Sequence, residues 1–292
     1  FALVGLYSAT PKGSFIPGLE FSGNVIKTGK NVTRFKVGDK VMGVTRFGGY
    51  ATHLNIASSY IYNLPTNWSY SEGAGFIAQS LTAYYALFPL GNLQEGNTVL
   101  IHSAAGGVGI YANRIAKKHK AYTIGSIGSG SKIETLKKEG YDDYIIRDKN
   151  FYKNLQEKLK GRNLNLVLEC IGGKIFEDSF KSLAPAGRIV VYGSANFAPE
   201  SDSPNILKLA LQYLTRPKID PLSMISNNKS LLAFNLIWLW DKIEELSLML
   251  ERILEMQLSP PLIGKTFPFA NALDALHYFK SGKSVGKVIL LT

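Results

Sequence analysis

The chain has 292 residues, 46% of them hydrophobic and 19% charged, and its 33 Lys and Arg against 22 Asp and Glu give a net charge of +11. That hydrophobicity excludes a disordered chain, and the length fits two globular domains better than one small stapled module. The single cysteine, Cys170, excludes an intrachain disulfide framework and any Cys-x-x-Cys zinc site, and it suits a reducing compartment such as the cytoplasm.

The chain opens Phe1-Ala2-Leu3-Val4-Gly5 without a basic stretch, so no secretory leader is read there. From Gly18 to about Leu64, short β-like runs such as 24–26 and 35–41 alternate with glycine turns. This spacing predicts a compact, mostly antiparallel barrel or sandwich. From about Thr82 to Leu232, apolar β-branched runs alternate with amphipathic stretches of helix length, the pattern of a parallel sheet covered by helices. Strands are expected at 98–102, 122–124, 144–146, 164–168 and 188–192, and helices at 108–119, 132–139, 150–158 and 175–183. The apolar run 231–240 is too short to span a bilayer, which needs about 20 residues, and reads as a buried strand or a subunit contact. A helix at 241–256 carries Leu246, Met249, Leu250, Ile253 and Leu254 on one stripe. A helix at 271–281 and a strand at 285–291 follow.

The most informative segment is the strand 98–102 running into Ser103-Ala104-Ala105-Gly106-Gly107-Val108-Gly109 and then a helix. Such a turn lets the backbone approach a dinucleotide pyrophosphate, and the N–H groups at the helix start carry partial positive charge towards it. A turn that merely packs a helix on a sheet would read the same way. About 20 residues on, an Asp or Glu would grip the ribose 2′-hydroxyl of NAD. Between Gly109 and Glu134 there is no acidic residue, and the second strand ends in Gly125-Ser126-Ile127-Gly128-Ser129-Gly130-Ser131-Lys132. Hydroxyls with a lysine fit a 2′-phosphate, so NADPH is the expected cofactor; a Gly/Ser loop with a solvated lysine is the plainer alternative. Residues 110–133 hold Arg114, Lys117, Lys118, Lys120 and Lys132, which places part of the basic excess beside this site. Elsewhere the excess is diffuse, and no nucleic-acid partner is expected.

Several stretches in fixed order carry a family resemblance. They are Pro17-Gly18-Leu19-Glu20-Phe21-Ser22-Gly23, Val37-Gly38-Asp39-Lys40-Val41, Gly48-Gly49-Tyr50-Ala51, Leu81-Thr82-Ala83-Tyr84, the glycine turn, Ile171-Gly172-Gly173, Tyr192-Gly193-Ser194 and Val285-Gly286-Lys287-Val288. With these the chain resembles the zinc-free quinone oxidoreductase, zeta-crystallin-like branch of the medium-chain dehydrogenase/reductases. The stretch 227–240 is similar to the vesicle-amine-transport-like relatives of that branch, some of which are of uncertain activity. The resemblance implies an α/β fold in which a Rossmann parallel-sheet domain, 82–230, is inserted into a GroES-like β-barrel domain formed by 1–81 and 231–292, with the active site in the cleft. The zinc-binding relatives carry Gly-His-Glu where this chain has Gly18-Leu19-Glu20, and His53, His102, His119 and His277 are scattered, so no catalytic metal is expected.

By the same resemblance, Thr82 would contact the nicotinamide end and Ala105, Gly106, Gly107 and Val108 the pyrophosphate. Ser129 and Lys132 would meet the 2′-phosphate, with Ser126 beside them on the cofactor. Arg147 replaces a family tyrosine and would serve the phosphates or face solvent. Gly193, Ser194, Phe234 and Asn235 would line the nicotinamide pocket. Tyr7 would hydrogen-bond the acceptor oxygen or serve in packing. The implied reaction is hydride transfer from NADPH to a quinone or an α,β-unsaturated carbonyl, acceptors that need little electrophilic help. An enoyl-thioester reductase and a catalytically silent NADPH-binding interaction protein are the alternatives. A homodimer paired through residues 231–237 is also implied.

Overall fold

The computed structural model describes residues 2–198 and 205–292. Its contacts divide the chain into two units, Phe1–Leu81 with Leu236–Thr292, and Thr82–Asn235. The first unit begins with an antiparallel sheet of β1 (Glu20–Asn24), β2 (Lys40–Val44) and β3 (Ile61–Asn63). Phe35, Val41 and Ile61 are its buried centre, with Phe21, Val25, Val32 and Ile56 packed on them. A short helix α1 (Tyr70–Gly73) starts with a reciprocal cap. The Ser69 side chain accepts from the Glu72 N–H, and the Glu72 carboxylate accepts from the Ser69 N–H at 2.6 Å. The division between units falls within α2 (Ile77–Tyr85).

The second unit alternates strand and helix: β4 (Thr98–His102), α3 (Gly107–Lys118), β5 (Tyr122–Ile127), α4 (Ile133–Lys138), β6 (Asp143–Ile146), α5 (Phe151–Leu159), β7 (Leu164–Glu169), α6 (Gly173–Ser182), β8 (Leu183–Val191), α7 (Ile206–Leu214), α8 (Pro221–Asn227) and β9 (Ser230–Ala233). The sheet order is β6-β5-β4-β7-β8-β9, and every neighbouring pair is parallel. All five residues of β4 are buried, as expected of a strand covered on both faces by crossover helices. Leu100, Ile124, Val167 and Ile189 stack across the sheet centre, each contributing about 1.5–3 kcal/mol of burial.

Three expectations shift here. β5 continues past 124 to Ile127, because Gly125 leaves room for Leu136, Tyr141 and Ala104 to pack where a side chain would stand. β8 starts at Leu183 rather than at 188. The strand expected at 231–237 ends at Ala233, since Leu236–Lys242 turns into 3-10 helix. Because β9 pairs with β8, the chain through Asn235 belongs to this unit rather than ending at 230.

The first unit resumes with α9 (Ile243–Glu255), whose buried stripe is Leu246, Leu250 and Ile253. β10 (Ile263–Pro268), α10 (Ala272–Lys280) and β11 (Lys287–Leu291) follow, and β10 pairs parallel with β11. The two ends of the chain meet at Glu20. Its carboxylate accepts from the Ala78 N–H at 2.9 Å and from Gln79 Nε2 at 3.1 Å, and it pairs with Lys287 Nζ at 2.9 Å. Tyr60 stacks on Trp240 at 4.1 Å, and Tyr62 Oη bonds Ser247 Oγ at 2.6 Å. Among the described residues this unit's strands form a three-stranded and a two-stranded sheet. No helix among the described residues is long and apolar enough to cross a membrane.

Candidate cofactor site

From β4 the chain builds β5 and β6 on one side of the sheet and then crosses to place β7 on the other. Connections leave the two strands in opposite directions at such a point and open a crevice at their carboxyl ends. His102 ends β4 there and Glu169 ends β7.

The glycine turn fills the start of this crevice. Ser103 is left-handed at φ 50, Gly106 is extended, and the Gly106 N–H donates to Ser103 O at 2.8 Å. α3 then begins with no side-chain cap and no acidic residue in its first turn. The first N–H groups of a helix lack intrahelical partners and share about half a positive charge, so this end is built for an anion. Gly109 is required by close approach: a Cβ there would lie 2.6 Å from Ser103 O and 2.7 Å from Ala104 Cα, both main-chain atoms that cannot give way. Tyr141, which the sequence did not single out, holds the turn from below. Its Oη lies 2.8 Å from Gly109 O and 3.2 Å from Ala104 O, so one proton serves two turn carbonyls. The only sequence signal for it is an aromatic residue just after α4.

At the end of β5, Gly128, Ser129 and Gly130 are exposed. Ser129 Oγ accepts from the Ser131 N–H at 3.3 Å and lies 2.9 Å from Ser131 Oγ. Lys132 closes the short 3-10 turn Gly130–Lys132, and burial, then the Arg147 charge, lowers its pKa. Arg147 is half-buried, with part of its side chain turned back onto the strand ends. Its N–H donates to Ile127 O at 2.8 Å, and its Nη1 donates to Ser126 O at 2.9 Å and Ser126 Oγ at 3.0 Å. Burial lowers the guanidinium pKa, with Cys170 and Glu169 acting in the opposite direction. Arg147 thus lies close enough to disfavour the charge on Lys132, an arrangement that an anion would relieve.

Beneath them the strand ends carry a buried polar row. His102 is wholly buried, and burial, then Arg147, lowers its pKa to about 3, so the ring is neutral. Its Nδ1 lies 2.8 Å from Ser126 Oγ, and its Nε2 lies 2.9 Å from Ser179 Oγ and 3.2 Å from Glu169 Oε2. Glu169 Oε1 accepts from the N–H groups of Ile171 and Gly172, the latter at 2.6 Å. Burial nevertheless raises its pKa to about 7, the two N–H bonds and Arg147 acting against it. Burial also pushes the Cys170 thiol up.

The other candidates fall as follows. Gly193 follows β8 so closely against Cys170 that a Cβ would lie 3.1 Å from the Cys170 Cβ. Ser194 Oγ donates to Asn196 Oδ1 at 2.9 Å. The Phe234 N–H donates to Val191 O at 3.0 Å, and its ring lies 4.9 Å from Tyr85. Thr82 is half-buried in α2, and Asn235 closes the unit. These residues, the turn and the cation pair all belong to Thr82–Asn235. Tyr7 belongs to the other unit, half-buried in the loop after a 3-10 turn, and its carbonyl accepts from the Thr10 N–H at 3.0 Å. Ser126 differs from expectation: it is wholly buried, because β5 continues past it, and His102 and Arg147 occupy its hydroxyl.

Among the described residues no group of three or more His, Cys, Asp and Glu is placed to hold a metal ion, and Leu19 offers no donor atom in its triplet. The zinc of the alcohol dehydrogenase relatives does not fit these residues.

A doubly wound sheet with this turn at its switch point is a dinucleotide-binding unit. Residues 107–233 match the family described as zinc-binding dehydrogenase, and residues 3–89 match the alcohol dehydrogenase GroES-like domain. The human synaptic vesicle membrane protein VAT-1 homolog is 31% identical over 290 residues, covering 98% of this chain and 74% of that protein. A quinone oxidoreductase from Pseudomonas syringae superposes with a TM-score of 0.82 at 25% identity, over 99% of this chain and 85% of that one. The mycobacterial protein Rv1454c, complexed with NADPH, superposes with a TM-score of 0.81 at 25% identity, over 95% and 83%. The chain belongs to the medium-chain dehydrogenase/reductases, an oxidoreductase family whose GroES-like and Rossmann parts correspond to its two units.

Proposed function

We propose that this protein is a metal-independent, NADPH-dependent oxidoreductase that passes hydride to a quinone or an α,β-unsaturated carbonyl. The observation that carries the reading is the pair Lys132 and Arg147 after β5 and β6, with no carboxylate between Gly109 and Glu134 on the β5 side, together with an uncapped helix start after β4. The quinone oxidoreductase of Pseudomonas syringae and the NADPH complex of the mycobacterial protein support it.

In this reading the main chain of Ala105, Gly106, Gly107 and Val108 holds the pyrophosphate. Ser129, Lys132 and Arg147 hold the 2′-phosphate, and Thr82, Gly193, Ser194, Phe234 and Asn235 line the nicotinamide end. The bound nicotinamide supplies the hydride. The chain's part is to orient the two reactants and exclude water. β9 stands at a sheet edge, which supports a homodimer formed by its pairing across a two-fold axis. Light scattering that finds only monomer would refute the dimer. The single cysteine supports a cytoplasmic location.

The test is steady-state oxidation of NADPH and NADH against a panel of quinones and enones, with a crotonyl thioester beside them. Quinone or enone turnover with NADPH preferred is the expected result. Faster turnover of the thioester would reassign the acceptor to enoyl thioesters. Tight NADPH binding without turnover of any acceptor would overturn the enzymatic reading in favour of an NADPH-binding interaction protein.

A further inference from the structure

An arginine can select a 2′-phosphate only if its guanidinium is held where the phosphate arrives, and a long flexible side chain loses about 2 kcal/mol of rotamer freedom on being held. In this chain the holding is done from beneath the sheet edge. Nη1 of Arg147 has both of its contacts on one residue, Ser126 O and Ser126 Oγ. Nη2 reaches over Gly128, where a Cβ would lie 3.2 Å from it. The guanidinium is therefore anchored at one nitrogen and laid along the exposed stretch Gly128 to Gly130.

The proton directions in the row below are fixed by their partners. Ser126 Oγ accepts from Arg147, and with the neutral ring's single proton on Nε2 the Ser126 hydroxyl donates to His102 Nδ1. Ser179 Oγ gives its proton to Ile175 O at 2.7 Å, so it accepts from His102 Nε2. The ring is thus the neutral Nε2–H tautomer, and the Glu169 carboxylate stands on its Nε2 side. Arg147, Ser126, His102 and Glu169 sit on four adjacent strands or their ends, β6, β5, β4 and β7, Ser179 comes from α6, and every hydrogen bond in the series from Arg147 to Ser179 is donated away from Arg147. Nothing in the row competes with Arg147 for the Ser126 lone pair.

We infer that Ser126, held by His102, is a positioning residue that aims Arg147 at the cofactor's 2′-phosphate and so sets the preference for NADPH over NADH. The inference rests on the cofactor reading proposed above. Ser126 touches neither cofactor, and NADH lacks the group that Arg147 meets, so loss of the Ser126 hydroxyl acts on one cofactor alone.

The test is the dissociation constant of the whole chain for NADPH and for NADH, measured by titration calorimetry. Four proteins are compared: wild type, Ser126→Ala, Arg147→Met and the double variant. Ser126→Ala is expected to weaken NADPH about tenfold, the size of one hydrogen bond to a charged group, and to leave NADH unchanged. In the Arg147→Met background the same change is expected to leave the ratio of the two constants where it was, because the two residues act as one unit. In otherwise wild-type protein, an equal loss for both cofactors on Ser126→Ala would mean that Ser126 only packs the sheet, and no loss for either would mean that it does not position Arg147; a ratio that shifts on adding Ser126→Ala to Arg147→Met would mean that it acts without Arg147; any of these results overturns the inference. Should Ser126→Ala fail to fold, Ser126→Cys, nearly the same shape but a weak acceptor, carries the same expectation. A wild type that does not prefer NADPH would overturn the cofactor reading itself, whereas a preference kept intact by Ser126→Ala would overturn the positioning role alone.

Discussion

Tyr141→Phe removes one oxygen from beneath the glycine turn and leaves the ring in place. Tyr141 is only 8% exposed, and burial holds its hydroxyl protonated, well above the ordinary phenol value, so the group lost is a neutral O–H. Its strong contact is Gly109 O at 2.8 Å; the 3.2 Å approach to Ala104 O draws on the same proton and adds less. One buried hydrogen bond plus the small void left behind amounts to about 1–2 kcal/mol. At roughly 2–4 °C per kcal/mol for a chain of this size, the expected fall in Tm is about 2–8 °C. The turn positions N–H groups for the pyrophosphate, which NADPH and NADH share, so both cofactors should bind a few-fold more weakly with their ratio unchanged. Thermal unfolding followed by circular dichroism and titration with each cofactor measure the two effects. A Tm and affinities equal to wild type would refute the turn-holding role, and a loss confined to NADPH would show that Tyr141 acts on the cation pair instead.

Lys132→Met should weaken NADPH about five- to tenfold without affecting NADH, and added salt should weaken NADPH binding to the wild type more than to the variant; equal salt slopes would count against Lys132 at the phosphate. Lys287→Met leaves the Glu20 carboxylate, whose side chain is 9% exposed, without its cation, at a cost of about 3 kcal/mol in urea unfolding. Glu169 is raised to about 7 from 4.5, so its contribution to stability is full below pH 4.5 and is lost as pH rises through 7; His102 is lowered to about 3 from 6.5, so its contribution is full above pH 6.5 and is lost as pH falls towards 3. Between pH 4.5 and 6.5 the two slopes, each about 1.4 kcal/mol per unit, oppose and cancel, and Glu169→Gln should expose the rising His102 slope; urea midpoints that run parallel to wild type across that window would refute it.

The second unit was legible because its physics is local and repetitive. Continuous apolar runs between amphipathic stretches mark strands covered on both faces, and Thr98 to His102 is such a run, buried at every residue. The glycine turn was legible for a related reason, since Gly109 is dictated by the main chain of Ser103 and Ala104 a few residues before it. The misses depended on contacts distant in sequence. Ser126 looked like a loop hydroxyl because two glycines flank its neighbourhood, yet Gly125 serves to admit Leu136 and Tyr141, and the strand runs on. Tyr141 and Glu169 act through partners more than 30 residues away or across the sheet, which a periodicity cannot reveal. The first unit was read least well. Its strands lie at 20–24 and 40–44 rather than at 24–26 and 35–41, and its closure depends on Glu20 meeting Lys287 from the far end of the chain.

The charge of +11 also reads differently once the side chains are placed. The segment 110–133 carries five cations and no acid, which pointed to a basic field beside the cofactor. Arg114 is bound by Glu139 through two nitrogens at 2.7 and 2.8 Å, Lys117 pairs with Asp142 at 2.7 Å and Lys120 with Glu95 at 2.8 Å. Those acids come from other elements, so a count along the segment could not include them. Position removes the effect further. Lys117 and Lys118 lie in the last turn of α3, where they suit the negative end of the helix, about 16 Å along the axis from Gly107. That is beyond the screening length of about 8–10 Å at physiological salt. Only Lys132 of the five stands at the phosphate end, and the sixth cation that matters, Arg147, comes from the following strand. In the proposed reading a 2′-phosphate would be met by these two cations rather than by a diffuse field, which is why the geometry of one buried serine could decide which dinucleotide is preferred.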